Sequence, residues 1–315
     1  DKAKKELKLK NAKLVSFGST RKLNIKVEED PQVKALVDAG TEYVCIVGKS
    51  SNLHITKAIE TDVEEAIKMA TDTIEYLKSN GKKVFFDAEH FFDGYKENSE
   101  VSYKILDAVI NEGVDCFIFC DTNGGTLPHE VTEILGEITK KYDKQKFGVH
   151  FQNDNGCAVP NSMAAVNLGV DHVQGTMNGY GERTGNADLC TLLPNLTLKM
   201  EHDTVPLESL EKLTPIANHI AELVNVAIDS RHPYVGSSAF THKAGLHASG
   251  MAKDSSLYEH IDSSKVGNYT RTTVSELAGR ASVITKAKEF NIELSNEDAK
   301  KLIEEVQNLE HQGFH

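Results

Sequence analysis

The sequence predicts an α/β protein built as a (β/α)8 TIM barrel. Six short apolar runs recur along the first three quarters of the chain, and their starts lie 25 to 40 residues apart, about the size of one βα unit. Segments with helical periodicity separate the runs, and such alternation predicts a parallel sheet with helical crossovers. The runs cover residues 12–18, 43–48, 83–89, 116–121, 147–152 and 172–177.

Two features favour a barrel over an open doubly wound sheet. No G-x-G-x-x-G follows any of the runs, so the phosphate-binding turn of dinucleotide-binding folds is absent. Polar residues end four runs, which is where barrel enzymes place their active sites. Because eight strands fill such a barrel, about two are expected to be missing before the predicted helix at 2–10.

Two domains are predicted, a catalytic barrel at 1–234 and a mostly helical appendage at 235–315. The length of 315 residues suits a barrel of ~250 residues with an addition. The strand rhythm ends near residue 234, and helical patterns follow at 273–289 and 296–309. Ser295, with Asp298 three residues later, is typical of a helix N-cap.

Charge and composition exclude several classes of partner. The chain has 35 basic and 47 acidic residues, a net charge of −12, and no basic cluster interleaved with aromatics, so neither nucleic acid nor an anionic membrane is expected. Its apolar stretches are shorter than the ~20 residues of a membrane span, which predicts a soluble, cytoplasmic protein. Five cysteines, an odd number, indicate reduced thiols.

Carboxylates end the run at 83–89, which reads D-A-E-H. Asp87 and Glu89 lie two residues apart and are expected to share the strand face of Phe85. A buried carboxylate needs a partner or a metal. The pair therefore indicates either a functional site or an internal ion pair that closes the barrel.

A second pair ends the run at 147–152, where His150 and Gln152 share a face. A neutral imidazole binds most divalent metals, and an amide oxygen is a weaker ligand suited to hard cations such as Mg²⁺ or Mn²⁺. A single histidine of this kind is also found as a hydrogen-bonded core residue. The pair alone leaves both interpretations open.

Two polar segments follow other runs. Thr122, after the run at 116–121, can donate to a ligand carboxylate. A glycine-rich loop spans 174–186, in which Glu182 and Arg183 are expected to pair. Asn186 is expected either to cap a helix that starts near Ala187 or to face a ligand.

Five segments together resemble the citramalate synthase branch of the isopropylmalate and homocitrate synthase family: FDAEHFFDGYK, CDTNGGTLP, HFQNDNG, GTMNGYGERTGN and HKAGLHASG. The resemblance implies a homodimeric acyltransferase of branched-chain amino-acid biosynthesis. Such an enzyme condenses acetyl-CoA with a 2-keto acid, here pyruvate, with the help of a divalent metal (Mn, Mg or Zn). 2-Ketoisovalerate is the alternative substrate, and HKAGLHASG disfavours a lyase or aldolase.

The resemblance also implies individual roles. The metal-binding positions are His150, Gln152 and Asn186. The catalytic positions are Glu89, His247 and Tyr258, of which the last two reach into the neighbouring subunit in the family. The substrate-binding positions are Thr122 and Asp87.

The sequence departs from the family pattern at two places. Gln152 stands where the family has its second metal-binding histidine, and no D-R-E segment precedes Ala12. The family's C-terminal regulatory domain is likewise expected to lie beyond this chain. These departures predict weak or absent activity and keep open the alternative of a non-catalytic remnant.

Overall fold

The computed structural model describes residues 2–242, 250, 254–272, 279, 283–284, 286–287 and 290–314. The chain divides into two compact units, residues 1–188 and 189–315. None of the described helices combines the length and the apolar character needed to cross a membrane. The predicted domain division after residue 234 stays a prediction.

A curled, six-stranded parallel sheet flanked by helices forms the first unit. Its strands are β1 (Val15–Ser19), β2 (Tyr43–Lys49), β3 (Lys83–Glu89), β4 (Cys116–Asp121), β5 (Phe147–Phe151) and β6 (His172–Gln174). Its helices are α1 (Lys2–Glu6), α2 (Pro31–Asp38), α3 (Asn52–His54), α4 (Val63–Ser79), α5 (Phe91–Asn111), α6 (Pro128–Lys141) and α7 (Ala158–Asn167).

The predicted alternation of strands and helices is confirmed. All five strand pairs are parallel and follow chain order, and the runs at 83–89 and 116–121 coincide with β3 and β4. The predicted run at 172–177 is too long, because a turn with Asn178 at φ 59° follows Gln174. The predicted helix at 2–10 is also too long, since α1 ends at Glu6.

Alternating side chains give the sheet two different faces. The outer face packs against the helices and buries large apolar groups completely, including Phe86, Phe117 and Phe151, each worth about 1.5–3 kcal/mol of burial. The inner face carries a small cluster of Cys45, Cys116, Ile118, Cys120 and Phe85. The described cysteines are all free thiols, as predicted.

A buried arginine ties the end of β1 to α4. Arg21 is 5% exposed in its side chain, and its Nε and Nη2 donate to Asp72 at 2.8 Å and to Glu65 at 2.9 Å. Its backbone N–H donates to Thr73 Oγ1 at 2.9 Å. A guanidinium taken out of water needs such partners, because an uncompensated charge costs several kcal/mol.

The second unit contains short helices and a two-stranded parallel sheet. Its elements are α8 (Leu189–Pro194), α9 (Leu207–Leu210), α10 (Leu213–Val224), β7 (Thr241–His242), β8 (Arg271–Thr272) and α11 (Asn296–His311). The predicted cap of α11 is confirmed, since Ser295 Oγ accepts from the Asp298 N–H at 3.1 Å. The helix predicted at 273–289 lies mostly outside the described residues.

Replacing Arg21 with Leu is expected to lower the free energy of unfolding by about 3 kcal/mol, because Asp72 and Glu65 lose their shared cation. Urea denaturation would measure the loss. The control is Lys83→Leu, because the Lys83 side chain is 48% exposed beside Glu42 and is expected to contribute much less to stability. Equal losses of unfolding free energy for the two variants would contradict the stabilising role of the Arg21 ion pairs.

Candidate active site

Charged groups meet at the carboxyl-terminal ends of β2 and β3. The parallel register places Lys49 opposite Glu89, and the two side chains form an ion pair in which each is about a quarter exposed. Opposed residues on neighbouring strands have side chains close enough to pair. Glu89 is thus held at the sheet edge with one cation beside it.

Thr122 follows β4, and its hydroxyl contacts the end of β3. Its Oγ1 accepts a hydrogen bond from the backbone N–H of His90 at 2.9 Å. Because a hydroxyl has one donor and two acceptor sites, its own O–H remains available for a ligand oxygen. The structure therefore places Thr122 beside the end of β3, within the same edge as Glu89.

Two stacked histidines extend this edge. The rings of His54 and His90 lie 3.5 Å apart and nearly parallel, and His90 Nδ1 faces Asp93 Oδ2 at 3.4 Å. Burial lowers the pKa of His54, and the neighbouring His90 and Lys49 lower it further. The His90 ring beside Asp93 lowers the pKa of that carboxyl. The neutral form of His54 is therefore favoured.

Asp87 lies on the inner face with Phe85, as predicted, and is almost fully buried. Its Oδ1 accepts from Cys45 Sγ at 3.1 Å and from Gln174 Nε2 at 2.9 Å. Gln174 Oε1 in turn lies 2.7 Å from His150 Nδ1. Burial raises the pKa of Asp87. Asp87 and His150 are thereby joined through a single amide.

Gln152 and Asn186 face each other across an isolated antiparallel bridge, a pairing that places Cβ atoms about 5 Å apart. Gln152 Oε1 and Asn186 Oδ1 are both buried, and neither has a hydrogen-bond partner among the residues that the structure describes. Each such orphaned oxygen costs about 1–3 kcal/mol. A cation or a ligand donor beside either oxygen would satisfy it.

The expectation that Asn186 caps a helix near Ala187 is wrong. The helix α8 begins at Leu189, and the side-chain oxygen of Asn186 accepts no hydrogen bond. Its Nδ2 instead donates to the Tyr180 carbonyl at 3.0 Å. The amide is therefore anchored through its nitrogen, which leaves its oxygen for another partner.

Glycine is required in the loop that carries Asn186. A Cβ at Gly185, where φ is +95°, would lie 1.9 Å from the Gly179 carbonyl oxygen. A Cβ at Gly181 would lie 2.0 Å from Asn186 Nδ2. Only hydrogen at these positions lets the loop fold back on itself and set the position of Asn186.

Arg183 has a stronger partner than the one expected. It contacts the neighbouring Glu182 at 3.7 Å, but its Nε and Nη2 donate to Asp154 at 2.6 and 3.0 Å. Nη2 also donates to the Thr122 carbonyl at 2.8 Å. Arg183 therefore joins the glycine-rich loop to the segments that follow β4 and β5.

The donor set can be tested for its fit to a divalent cation. Nε2 of His150 and the two orphaned amide oxygens of Gln152 and Asn186 are neutral ligands that suit a hard or borderline ion. No group of three His, Cys, Asp or Glu side chains that could hold a metal occurs in the described ranges. The residues fit a cation that takes its remaining ligands from substrate or water.

The structure brings six of the eight predicted site residues into the first unit: Asp87, Glu89, Thr122, His150, Gln152 and Asn186. His247 lies outside the described residues. Tyr258 belongs to the second unit, where it is 40% exposed and its ring centroid lies 6.5 Å from that of His242. The sequence analysis missed Lys49 and Gln174. Lys49 directly follows the apolar run at 43–48, so attention to the polar residues at the ends of runs could have found it.

Comparison with known families gives two matches. Residues 11–220 match the HMGL-like family, and residues 234–313 match the homocitrate synthase post-HMGL domain-like family. The chain belongs to the HMGL-like family. Its members have the TIM-barrel fold, so the predicted fold class is confirmed.

The resemblance to citramalate synthases is also confirmed. Within the HMGL-like family, the chain is 50% identical to an (R)-citramalate synthase of Aquifex aeolicus over 99% of this chain and 59% of the relative. It is 42% identical to an (R)-citramalate synthase of Geobacter sulfurreducens over 98% and 59%. A probable 2-isopropylmalate synthase of Methanopyrus kandleri is 31% identical over 89% and 55%. The chain thus spans about three fifths of these relatives.

Solved structures share the fold at low sequence identity. The HMG-CoA lyase of Bacillus subtilis has a TM-score of 0.60 and 19% identity over 71% of this chain and 74% of the lyase. The HMG-CoA lyase of Acinetobacter baumannii has a TM-score of 0.58 and 16% identity over 70% of this chain and 71% of the lyase. These similarities concern the fold of the HMGL-like family alone.

Replacing Lys49 with Met is expected to raise the pKa of His54 toward the ordinary ~6.5, because a positive neighbour is removed. With the pKa of His54 lowered in the folded state, the unfolded chain binds more protons, so stability falls as the pH drops below about 6.5. This fall should be smaller in the variant.

Titration of the His54 ring by NMR would measure the change. Lys57→Met is the matched control, since Lys57 is exposed on the same segment and is expected to leave the titration unchanged. A lowered pKa in Lys49→Met would contradict the assigned charge effect.

Proposed function

We propose that the protein is an acyltransferase that condenses acetyl-CoA with pyruvate to give citramalate and CoA, as a step of branched-chain amino-acid biosynthesis. The observation that carries this proposal is the 50% identity with an (R)-citramalate synthase over nearly the whole chain, against 31% with a probable 2-isopropylmalate synthase. The site geometry supports a small anionic substrate at the carboxyl-terminal edge of the sheet.

A divalent cation, Mn²⁺, Mg²⁺ or Zn²⁺, would be held by His150, Gln152 and Asn186. When bound, such an ion supplies Lewis-acid polarisation of the keto oxygen. The support is the pair of buried oxygens without partners. Asn186 is the best positioned of the three, because its amide nitrogen is already anchored to Tyr180.

Thr122 would hold the keto-acid carboxylate. Its hydroxyl accepts from His90 N–H, so its proton points to another acceptor, and a carboxylate is the stronger acceptor for it. Asp87 was expected to contact the substrate as well. Its burial and the two hydrogen bonds that Oδ1 already accepts do not favour a direct contact with substrate.

Glu89 would assist removal of a proton from the acetyl methyl group. The deprotonated carbon would form the new bond to the ketone carbon, the ketone oxygen would take up a proton to become a hydroxyl, and water would then cleave the thioester and release CoA. Lys49 forms an ion pair with Glu89 and so holds that side chain at the sheet edge. His247 and Tyr258 would complete the site from the second subunit of a homodimer, with residues 1–234 as the catalytic domain and 235–315 as its appendage.

Gln152 favours a second candidate, a family member without catalysis. An amide is a weaker ligand than the imidazole found at this position in the family, and losing ligands around a metal costs activity. A 2-isopropylmalate synthase acting on 2-ketoisovalerate is the third. Substrate assays and metal titrations distinguish these three.

CoA release from acetyl-CoA is expected to be faster with pyruvate than with 2-ketoisovalerate or 2-ketoglutarate. A thiol-trapping assay would measure it in the presence of Mn²⁺, Mg²⁺ or Zn²⁺. Preference for 2-ketoisovalerate would select the isopropylmalate alternative. No turnover with any of the three keto acids would select the remnant.

The Glu89→Gln variant is expected to lose about 10²–10⁴-fold in kcat, the usual contribution of a positioned general base, with little change in KM for pyruvate. Glu133→Gln is the matched control, because Glu133 is exposed on α6. Unchanged turnover in Glu89→Gln would remove Glu89 from the mechanism.

Isothermal titration with Mn²⁺ tests the cation site directly. Gln152→Leu is expected to weaken binding about 10-fold or more, because a ligand oxygen is lost, while Gln152→His should bind at least as tightly as the natural chain. Equal heats for the natural chain and Gln152→Leu would show that Gln152 is not a ligand.

A further inference from the structure

A chain of hydrogen bonds crosses the inner face of the sheet beside the proposed reaction site. It runs from Cys45 Sγ to Asp87 Oδ1 at 3.1 Å, from Gln174 Nε2 to the same oxygen at 2.9 Å, and between Gln174 Oε1 and His150 Nδ1 at 2.7 Å. Its members come from β2, β3, β6 and β5. Of its members, His150 alone is also proposed as a cation ligand.

The chemistry of Asp87 sets the direction of each bond. Its Oδ1 accepts a hydrogen bond from the thiol of Cys45, so that oxygen acts as an acceptor. Gln174 must turn its NH2 group toward Asp87, because the reversed amide would bring two acceptor oxygens within 2.9 Å. The amide oxygen of Gln174 then faces the imidazole.

The orientation of Gln174 decides the protonation pattern of His150. A carbonyl oxygen 2.7 Å from Nδ1 can only accept, so Nδ1 must carry the hydrogen. In a neutral imidazole the other nitrogen then keeps its lone pair. His150 Nε2 is therefore an acceptor or a ligand atom before any substrate arrives.

We propose that Asp87 and Gln174 are positioning residues that hold His150 in its Nδ1–H form and so keep the Nε2 lone pair directed at the ligand. The inference rests on the proposed function for the identity of that ligand. It deepens that function, because second neighbours that orient a histidine commonly govern its affinity for metal. Asp87 acts in this scheme without touching substrate.

The first test reads the tautomer without metal or substrate. A proton–nitrogen correlation spectrum of the imidazole rings is recorded at a pH where His150 is neutral, and the His150 signals are assigned by their loss in His150→Asn. The natural protein is expected to show Nδ1–H. Gln174→Met is expected to show a mixture of tautomers or Nε2–H.

Two further variants guard against simple misfolding. Asp87→Asn keeps an oxygen that can accept from Cys45 and Gln174, so the Nδ1–H form is expected to persist. Gln145→Met is the matched control, because the Gln145 side-chain amide donates to backbone carbonyls, those of Val114 and Lys146. Loss of the Nδ1–H form in Gln145→Met would show that the signal reports general disorder, and would overturn the inference.

The second test measures whether the two residues act as one path. Mn²⁺ alone is titrated into Gln174→Met, Asp87→Leu and the double variant. Gln174→Met is expected to bind about 10–100-fold more weakly than the natural protein. The double variant should be no weaker than Gln174→Met, because Asp87 acts only through Gln174. Additive losses would overturn the inference.

The two proposals fail in different ways. A natural protein with Nε2–H on His150, or a tautomer unchanged in Gln174→Met, overturns the positioning role whatever the activity. A protein with the expected tautomer and Mn²⁺ binding that forms no citramalate overturns the proposed function and leaves the positioning role standing.

Discussion

The curl of the parallel sheet is the constraint that brings Gln174 within hydrogen-bond distance of Asp87 in the first unit. β3 and β6 lie three positions apart in the sheet, which in a flat sheet means roughly 14 Å, farther than these two side chains reach. The 2.9 Å contact therefore requires the sheet to curl. The same curl brings strand ends that are distant in sequence to one edge, where the polar residues gather.

The polar side chains at that edge differ in whether they have partners. Glu89 is paired with Lys49, and Arg183 with Asp154, so these charges are compensated. Gln152 and Asn186 instead keep buried oxygens without donors. Unsatisfied buried groups reduce stability, and they persist where surrounding structure holds them in place, which is typical of binding sites. The contrast separates charged groups that have partners at the edge from the two amide oxygens that are proposed to hold a cation.

Sequence patterns were sufficient for the elements and for much of the edge. The two-residue repeat of a β-strand predicts that Asp87 and Glu89 share the face of Phe85. The apolar runs at 83–89 and 116–121 coincide with β3 and β4. Gln174 could not be found in this way, because its role depends on a contact across the curl with Asp87. Local sequence patterns do not predict how strongly a sheet curls. The helix cap, one of the two roles expected for Asn186, is wrong because the loop folds back at Gly181 and Gly185. The helix therefore begins only at Leu189.

The cysteines of the inner face have a consequence for chemical labelling. Burial raises the pKa of Cys116 to about 12 and raises those of Cys45 and Cys120 well above the ordinary thiol value. Thiolate is the form that reacts with alkylating reagents, so these groups stay inert while the sheet is intact. They would become reactive only when strands separate. Their alkylation rate would therefore report how often the strands of the sheet separate, independently of any measure of catalysis.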